Sequence, residues 1–382
     1  MRSNYQEYFG ETHNMIRNTV RKFVEREIAP YVDEWEEKGE FPVDLYRKAG
    51  KAGILGIYYP EKYGGSGGDL FMKIAATEEL MRCGSAGVVA GLGSLDISIP
   101  PVLSLGTEEQ KLRFLPPVLK GEKISALGVT EPDAGSDVAN IKTRAMLKGD
   151  HYVVNGSKTY ITSGCRADQL TTAVRTGEEG HKGISLLIIE SDSPGYSVSK
   201  PLKKMGWWAS DTGQIFFDEC KVPAENLLGE EGKGFYGIMQ NFQNERLQLC
   251  VIANMTAELA LEESIRYAKE REAFGKPLIG FQITRHKLAD MATLVEASRE
   301  FTYRVAARMN AGINQVKEIS MAKNFSCLVS NKVTYDAVQI HGGAGYMREY
   351  LVERLYRDNR ILSIGGGTQE IMKEIIAKCI VN

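Results

Sequence analysis

Residues 151–164 read "HYVVNGSKTYITSG", two short runs of β-branched and aromatic residues around Asn155-Gly156. That dipeptide favours a type I′ turn, so the stretch predicts a β-hairpin. It decides the fold because the chain on either side of it is helical in pattern. The strand texture extends from Ile124 to about Pro223 and includes "GISLLIIE" (183–190) and "TGQIFFDECKV" (212–222). A small antiparallel barrel or sandwich is expected there.

Working outward, "NMIRNTVRKFVEREIAPYVDEWEE" (14–37) places Ile16, Val20, Phe23, Val24 and Ile28 on one stripe with charges opposite, and Pro30 bends or ends the helix. In "TEEQKLRFLPPVLKGE" (107–122), Thr107 and Gln110 have capping-box spacing, and Pro116-Pro117 is expected to stop the helix. Beyond residue 229 three long helical segments, 244–274, 284–309 and 318–341, are sufficient for a bundle. The fold class is therefore α+β. It comprises an N-terminal helical domain (1–120), a middle antiparallel β-barrel or sandwich domain (121–228) and a C-terminal helical bundle (229–382).

The bulk numbers narrow the partners. Among 382 residues, 47 basic against 49 acidic side chains leave a net charge of -2. That balance offers no general attraction to nucleic acid or an anionic membrane. No apolar run approaches the roughly 20 residues of a membrane helix. The first residues lack the apolar stretch of a signal peptide and the acid-poor, Arg-rich character of a transit sequence. The six cysteines lack CxxC or Cys/His ligand spacing. They read as reduced thiols in a cytoplasmic protein, with no metal site expected.

Four motifs occur in a fixed order: "GVTEPDAGSDV" (128–138), "NGSKTYITSG" (155–164), "REAFGKPL" (271–278) and "QIHGGAGY" (339–346). A glycine triplet follows in "ILSIGGGTQEIMKEIIAK" (361–378). Each alone reads blandly, as a polar loop, a β-forming run, a charged helix end or a glycine turn. As an ordered set across an α/β/α layout, they closely resemble the acyl-CoA dehydrogenase family over essentially the whole chain. The resemblance implies a four-helix bundle as the C-terminal domain, FAD as cofactor, an acyl-CoA substrate, an electron-transferring flavoprotein as acceptor, and a homotetramer.

Residue by residue, it implies that Thr130 and the backbone near Leu127 and Val129 meet the flavin edge. Ser136 would sit near the FAD phosphates and the CoA portion. Tyr160, where many relatives carry Trp, would cover the ring, and Thr162 would bond near flavin N5. Arg271, Phe274 and Gln282 would reach across a subunit interface to the FAD diphosphate and adenine. Gln339 and the Gly342-Gly343 backbone would approach the adenosine end, as would Thr368 and Glu370 at their matching positions. Arg suits phosphate because its fork donates two hydrogen bonds at once.

The reaction so implied takes a proton from the acyl α-carbon and a hydride from the β-carbon. It requires a carboxylate held dry and donors aimed at the thioester oxygen. Many relatives place that carboxylate where this chain has Gly366. Glu370 lies four positions on but matches a position facing the adenosine. In "NFQNERLQLCVIANM" (241–255), Glu245 reads as opening a long helix, with Leu247, Val251, Met255 and Leu259 toward the bundle. On pattern alone it is a first-turn Glu favoured by the helix dipole. A minority branch, including isovaleryl-CoA and long-chain acyl-CoA dehydrogenases, carries its base at this adjacent-helix position. Glu245 is thus the expected base, with the Gly366 N–H as donor to the thioester oxygen. Tyr236, Gln243 and Gly367 are expected substrate contacts, and Arg246 is expected to face away toward the CoA nucleotide.

The apolar run "GVVAGLGSLDISIPPVL" (87–103) is expected to line an acyl pocket. Trp207 and Trp208 read either as packing or as a pocket rim. Two alternatives stand beside a dehydrogenase: an oxidase-like flavoenzyme using O2, and a catalytically silent flavin-binding homologue.

Overall fold

The structure, a computed structural model, describes residues 5–381. Its N-terminal third is helical: α1 (Glu11–Glu27), α2 (Val32–Lys38), α3 (Asp44–Lys51), α4 (Leu70–Met81), α5 (Ala86–Leu92), α6 (Leu95–Ser98), α7 (Pro100–Leu105) and α8 (Glu108–Leu119). In α1 the stripe Val20, Phe23 and Val24 is buried, with Ile28 beyond it. The chain breaks at Pro30, as the missing N–H requires. Thr107 and Gln110 form the reciprocal capping box of α8.

Pro116 and Pro117 do not stop α8, which carries both to Leu119. They lie in its last turn, and the carbonyls they deprive of partners belong to exposed Leu112 and Arg113, where water can serve. The stop comes at Gly121, with φ +70 and Tyr46 O only 2.0 Å from where a Cβ would stand.

The middle third holds β1 (Ser125–Gly128), β2 (Arg144–Lys148), β3 (His151–Thr162), β4 (Gln169–Arg175), β5 (Ile184–Glu190), β6 (Tyr196–Val198), β7 (Thr212–Pro223) and β8 (Leu227–Leu228). They form one sheet in the order β6-β7-β3-β2-β4-β5-β8, with β1 beside β4. It is not purely antiparallel, because β1 runs parallel to β4.

Nor is Asn155-Gly156 a hairpin turn. β3 passes straight through it, because β7 pairs with both halves of β3 from Pro223 to Thr212. It lies opposite a bulge in β7 instead: between the pairs Val154–Cys220 and Gly156–Phe217, Asp218 and Glu219 face Asn155 alone, and Gly156 has φ +144 with Thr143 packed against its α-carbon. The β2–β3 hairpin turns earlier, at Gly149-Asp150.

The C-terminal third contains α9 (Gly234–Glu270), α10 (Gln282–Asn310), α11 (Val316–His341), α12 (Leu351–Asn359) and α13 (Gln369–Val381). Leu247, Val251, Met255 and Leu259 of α9 are buried as expected. α9 ends at Glu270 before a small hairpin whose turn residues, Phe274 (φ 51) and Gly275 (φ 78), are both left-handed. No single helix among the described residues is long and apolar enough to cross a membrane.

Trp207 and Trp208 prove to be packing between the sheet and the bundle. The Trp207 backbone N–H donates to Asp358 Oδ1 (2.6 Å), and the Trp208 ring centre lies 3.7 Å from the Arg357 guanidinium. Arg357 in turn reaches Glu36 of α2 at 2.9 Å, tying the N-terminal helices to the same seam.

Candidate active site

Glu245 does not open its helix. α9 starts at Gly234, so Glu245 lies in its interior, beyond the first-turn N–H groups that would favour a carboxylate. Its Oε2 is shut off from solvent and has no hydrogen-bond partner among the described residues. Burial pushes the carboxyl up to about 7, against the opposing pull of Arg246 and Lys323. A buried acid with an open lone pair and a pKa near neutrality is poised as a general base.

The glycine triplet faces it. A Cβ built on Gly366 would stand 3.4 Å from Glu245 Oε1 and 2.6 Å from Leu249 Cδ1. Gly366 (φ +63) and Gly367 (φ +97) are left-handed, so a side chain at either would be strained as well as crowded. All three carbonyls of the triplet are held from behind. Lys323 of α11 donates to Gly365 O (2.7 Å) and to Gly367 O, and Arg246 Nε donates to Gly366 O (3.3 Å). No described residue accepts from the Gly366 N–H. Arg246 is buried against the triplet, which corrects the expectation that it faces away along the helix. The chain places it there because Arg246 and Glu245, adjacent on α9, flank the same turn.

Beside the triplet lies a cavity of about 600 Å³, lined by Thr368 and Glu370 together with Met205, Tyr335 and Arg360. The Thr368 hydroxyl also accepts from Ile371 N (3.3 Å), capping α13. Glu370 is exposed and its carboxyl is lowered, first by its own backbone N–H and then by Thr368, so it does not suit a base. Met205 belongs to the segment just before β7, whose Thr212 pairs with Thr162.

Tyr160, left-handed at φ 59 and 71% exposed, sits where the β3–β7 register shifts between Lys158 and Ile161. Such a bulge re-aims a side chain. The "TEPDAGSD" loop is fastened to this strand by a buried pair. Lys158 Nζ donates to Glu131 (2.7 Å) and to Val129 O (3.1 Å), and Thr159 N donates to Thr130 O (2.9 Å). Leu127 and Val129 are on or next to β1, and Ser136 is exposed on the loop.

The remaining candidates lie elsewhere. Arg271, Phe274, Gln282, Gln339, Gly342 and Gly343 gather where α9 ends, α10 begins and α11 ends, and all are exposed. The unbroken α9 separates Arg271 from Glu245 by roughly 40 Å at 1.5 Å per residue. Tyr236 and Gln243 share a face of α9 by heptad spacing. Tyr236 is exposed beside His181 (6.0 Å between rings), and Gln243 is partly buried.

Three family models cover nearly the whole chain: the acyl-CoA dehydrogenase N-terminal domain over residues 10–122, the middle domain over 126–220 and the C-terminal domain over 232–381. The chain belongs to the acyl-CoA dehydrogenase family.

An "Acyl-CoA dehydrogenase" of Bacillus subtilis is 43% identical over 366 residues, 95% of this chain and 96% of that one. The long-chain specific acyl-CoA dehydrogenase of Rattus norvegicus mitochondria is 40% identical over 377 residues, 98% of this chain and 87% of that one. The crystal structure of a "probable acyl CoA dehydrogenase" from Mycobacterium abscessus matches with a TM-score of 0.96 at 51% identity, covering 98% and 100% of the two chains. A Bacillus anthracis acyl-CoA dehydrogenase solved in complex with FAD matches with a TM-score of 0.92 at 34% identity, covering 98% of this chain and 68% of that one.

As an acyl-CoA dehydrogenase this protein is an FAD-dependent oxidoreductase. Its residues fit the cofactor: a roomy cleft beside the glycine triplet, an outward aromatic on a strained bulge and fixed polar groups on the loop behind it. Two working residues were missed in the sequence. Lys323 was legible as a charge inside the buried i, i+4 stripe Ile319–Lys323–Cys327, and Lys158 as a charge within a run of β-formers.

Proposed function

We propose that the protein oxidises an acyl-CoA to the trans-2-enoyl-CoA with Glu245 as base. The observation that carries this is the buried Oε2 of Glu245, unpartnered among the described residues, beside a turn whose Gly366 N–H has no described acceptor. Glu245 takes the proton from C2 of the acyl chain. The Gly366 N–H donates to the thioester oxygen, and that bond strengthens as negative charge gathers there. FAD, when bound, supplies the two-electron acceptor for the hydride leaving C3. The shielded Oε2 and the raised carboxyl pKa suit Glu245 to accept a proton near neutral pH.

The separation along α9 supports a homo-oligomer, proposed as a tetramer. The groups at its Glu245 end and at its Arg271 end lie too far apart to hold the same FAD from one chain. Arg271, Phe274, Gln282, Gln339, Gly342 and Gly343 therefore serve the cofactor of a second copy. Thr130, Ser136, Tyr160, Thr162, Thr368 and Glu370 serve the chain's own. A relative from Acetobacterium woodii is named as a subunit of a caffeyl-CoA reductase–Etf complex, which supports an electron-transferring flavoprotein as acceptor.

The side-chain-free Gly366, with half-buried Ala90, Gly93 and Ile97 in the run packed against α9, favours a medium-to-long or branched acyl tail. Anaerobic mixing with straight and branched acyl-CoAs tests the reading: the yellow flavin bleaches with its substrate. Failure to bleach with any of them would sink it, and peroxide formation without an acceptor protein would redirect it to an oxidase.

A further inference from the structure

Lys323 is fully buried on α11 and forms no ion pair among the described residues. Its Nζ donates to the carbonyls of Gly365 and Gly367, on either side of Gly366, whose N–H has no acceptor among the described residues. Burying an ammonium is costly unless it is paired or hydrogen-bonded. Two carbonyls meet its donors without neutralising its charge. The charged groups facing it are Glu245 and Arg246 of α9, and the nearby thiols Cys250 and Cys327 are pushed up by burial and stay neutral. Two cations therefore stand against one carboxylate. After Glu245 has taken its proton, both remain, and the anion left to balance them is the oxygen of the substrate.

We propose that Lys323 is a positioning residue of the reaction: clamped on both flanking carbonyls, it fixes the glycine turn with the Gly366 N–H toward the thioester and places positive charge behind the developing enolate. Arg246 completes the clamp on the middle carbonyl. The proposal rests on the acyl-CoA dehydrogenase reading above. An apolar residue would fill the same buried stripe of α11, so packing alone does not account for a lysine here.

The test uses the FAD-loaded protein with Lys323→Met and Lys323→Arg. With Lys323→Met, kcat falls about 10²-fold, the loss typical of one oxyanion donor, while the KM for acyl-CoA moves little. The acidic limb of kcat/KM shifts to higher pH, because a cation that favoured ionised Glu245 is gone. A second readout is independent of turnover. A 3-thia-acyl-CoA, deprotonated at C2 without hydride transfer, gives a charge-transfer band whose apparent pKa rises in the variant.

With Lys323→Arg the charge stays and the clamp geometry changes, so kcat falls while the acidic limb stays in place. A merely structural lysine would lower FAD content, thermal midpoint and kcat together in either variant and leave the limb and the band where they are. That result overturns the proposal, as does wild-type kcat in Lys323→Met. If Lys323→Met does not fold, the Arg variant decides by the same split. If neither assembles, the lysine is structural and the proposal fails. Absence of bleaching in the wild type would instead sink the underlying function, so the two failures are distinguishable.

Discussion

Glu245 and Gly366 face each other so closely that a methyl group on the glycine would stand 3.4 Å from the carboxylate oxygen. The acid lies 121 positions before the turn that grips the substrate in the proposed reaction, and α9 and α11 hold the two together.

Replacing Glu245 with Gln keeps the shape and removes the proton acceptor. Flavin content should be unchanged, while the rate of anaerobic flavin reduction by substrate falls by about 10²–10⁴. Stopped-flow absorbance measures it, and an undiminished rate would assign the base elsewhere.

The same carboxyl makes stability depend on pH. Its folded pKa, about 7, lies above the ordinary carboxyl value of 4.5. Between those two values the folded state binds more protons than the unfolded state, so its contribution falls as pH rises through the window. Relative to Glu245→Gln, the wild type should lose thermal midpoint from about pH 4.5 to 7 and change no further above it. Activity runs the other way, rising as the group ionises. Parallel melting curves of the two proteins across this window would reveal a flat difference if the carboxyl titrates normally.

Gly366→Ala tests the turn. It forces a side chain into left-handed backbone, at a cost of about 1–2 kcal/mol, and against Leu249. Turnover should drop sharply with FAD still bound. Adding Leu249→Ala should recover part of the turnover by removing the collision, though not the backbone strain. If the single variant keeps its wild-type kcat, the turn is not as tight as described.

The Lys158–Glu131 pair fixes the loop that carries Thr130 and Ser136. Burial pulls the lysine down to about 8, and Glu131 acts against that pull. Lys158→Met leaves a buried carboxylate without its cation, which should cost about 3–5 kcal/mol. Denaturant unfolding would register this, and FAD should dissociate more readily from the loosened loop.

Phe274 is 97% exposed at the tip of a left-handed turn. In an isolated chain Phe274→Asp should be neutral to folding. In the proposed assembly it should weaken association and lower FAD content together, as read by sedimentation and flavin absorbance. Retention of both would remove this turn from the shared site.

Much of this was legible in the residues because local physics decided it. The capping box at Thr107, the amphipathic stripe of α1 and the break at Pro30 each depend on neighbours within a turn or two. Asn155-Gly156 was misread because its favoured local turn competes with a partner strand, and β7 pairs across it. Pro116-Pro117 was misread because a helix end tolerates proline when the stranded carbonyls face water. Glu245 was placed in a first turn because "GFYGIMQNFQ", which precedes it, carries little periodic signal, yet it is part of the same helix.

By itself, the sequence determined the helical and strand territories, the family, and the pairing of an acid at 245 with a glycine at 366. Only the tertiary structure decided what that pairing means. The carboxylate's raised pKa comes from burial, and the glycine turn's orientation comes from Lys323 and Arg246. Both arise where α9 and α11 meet, between residues too far apart in the chain for any local pattern to report their contact.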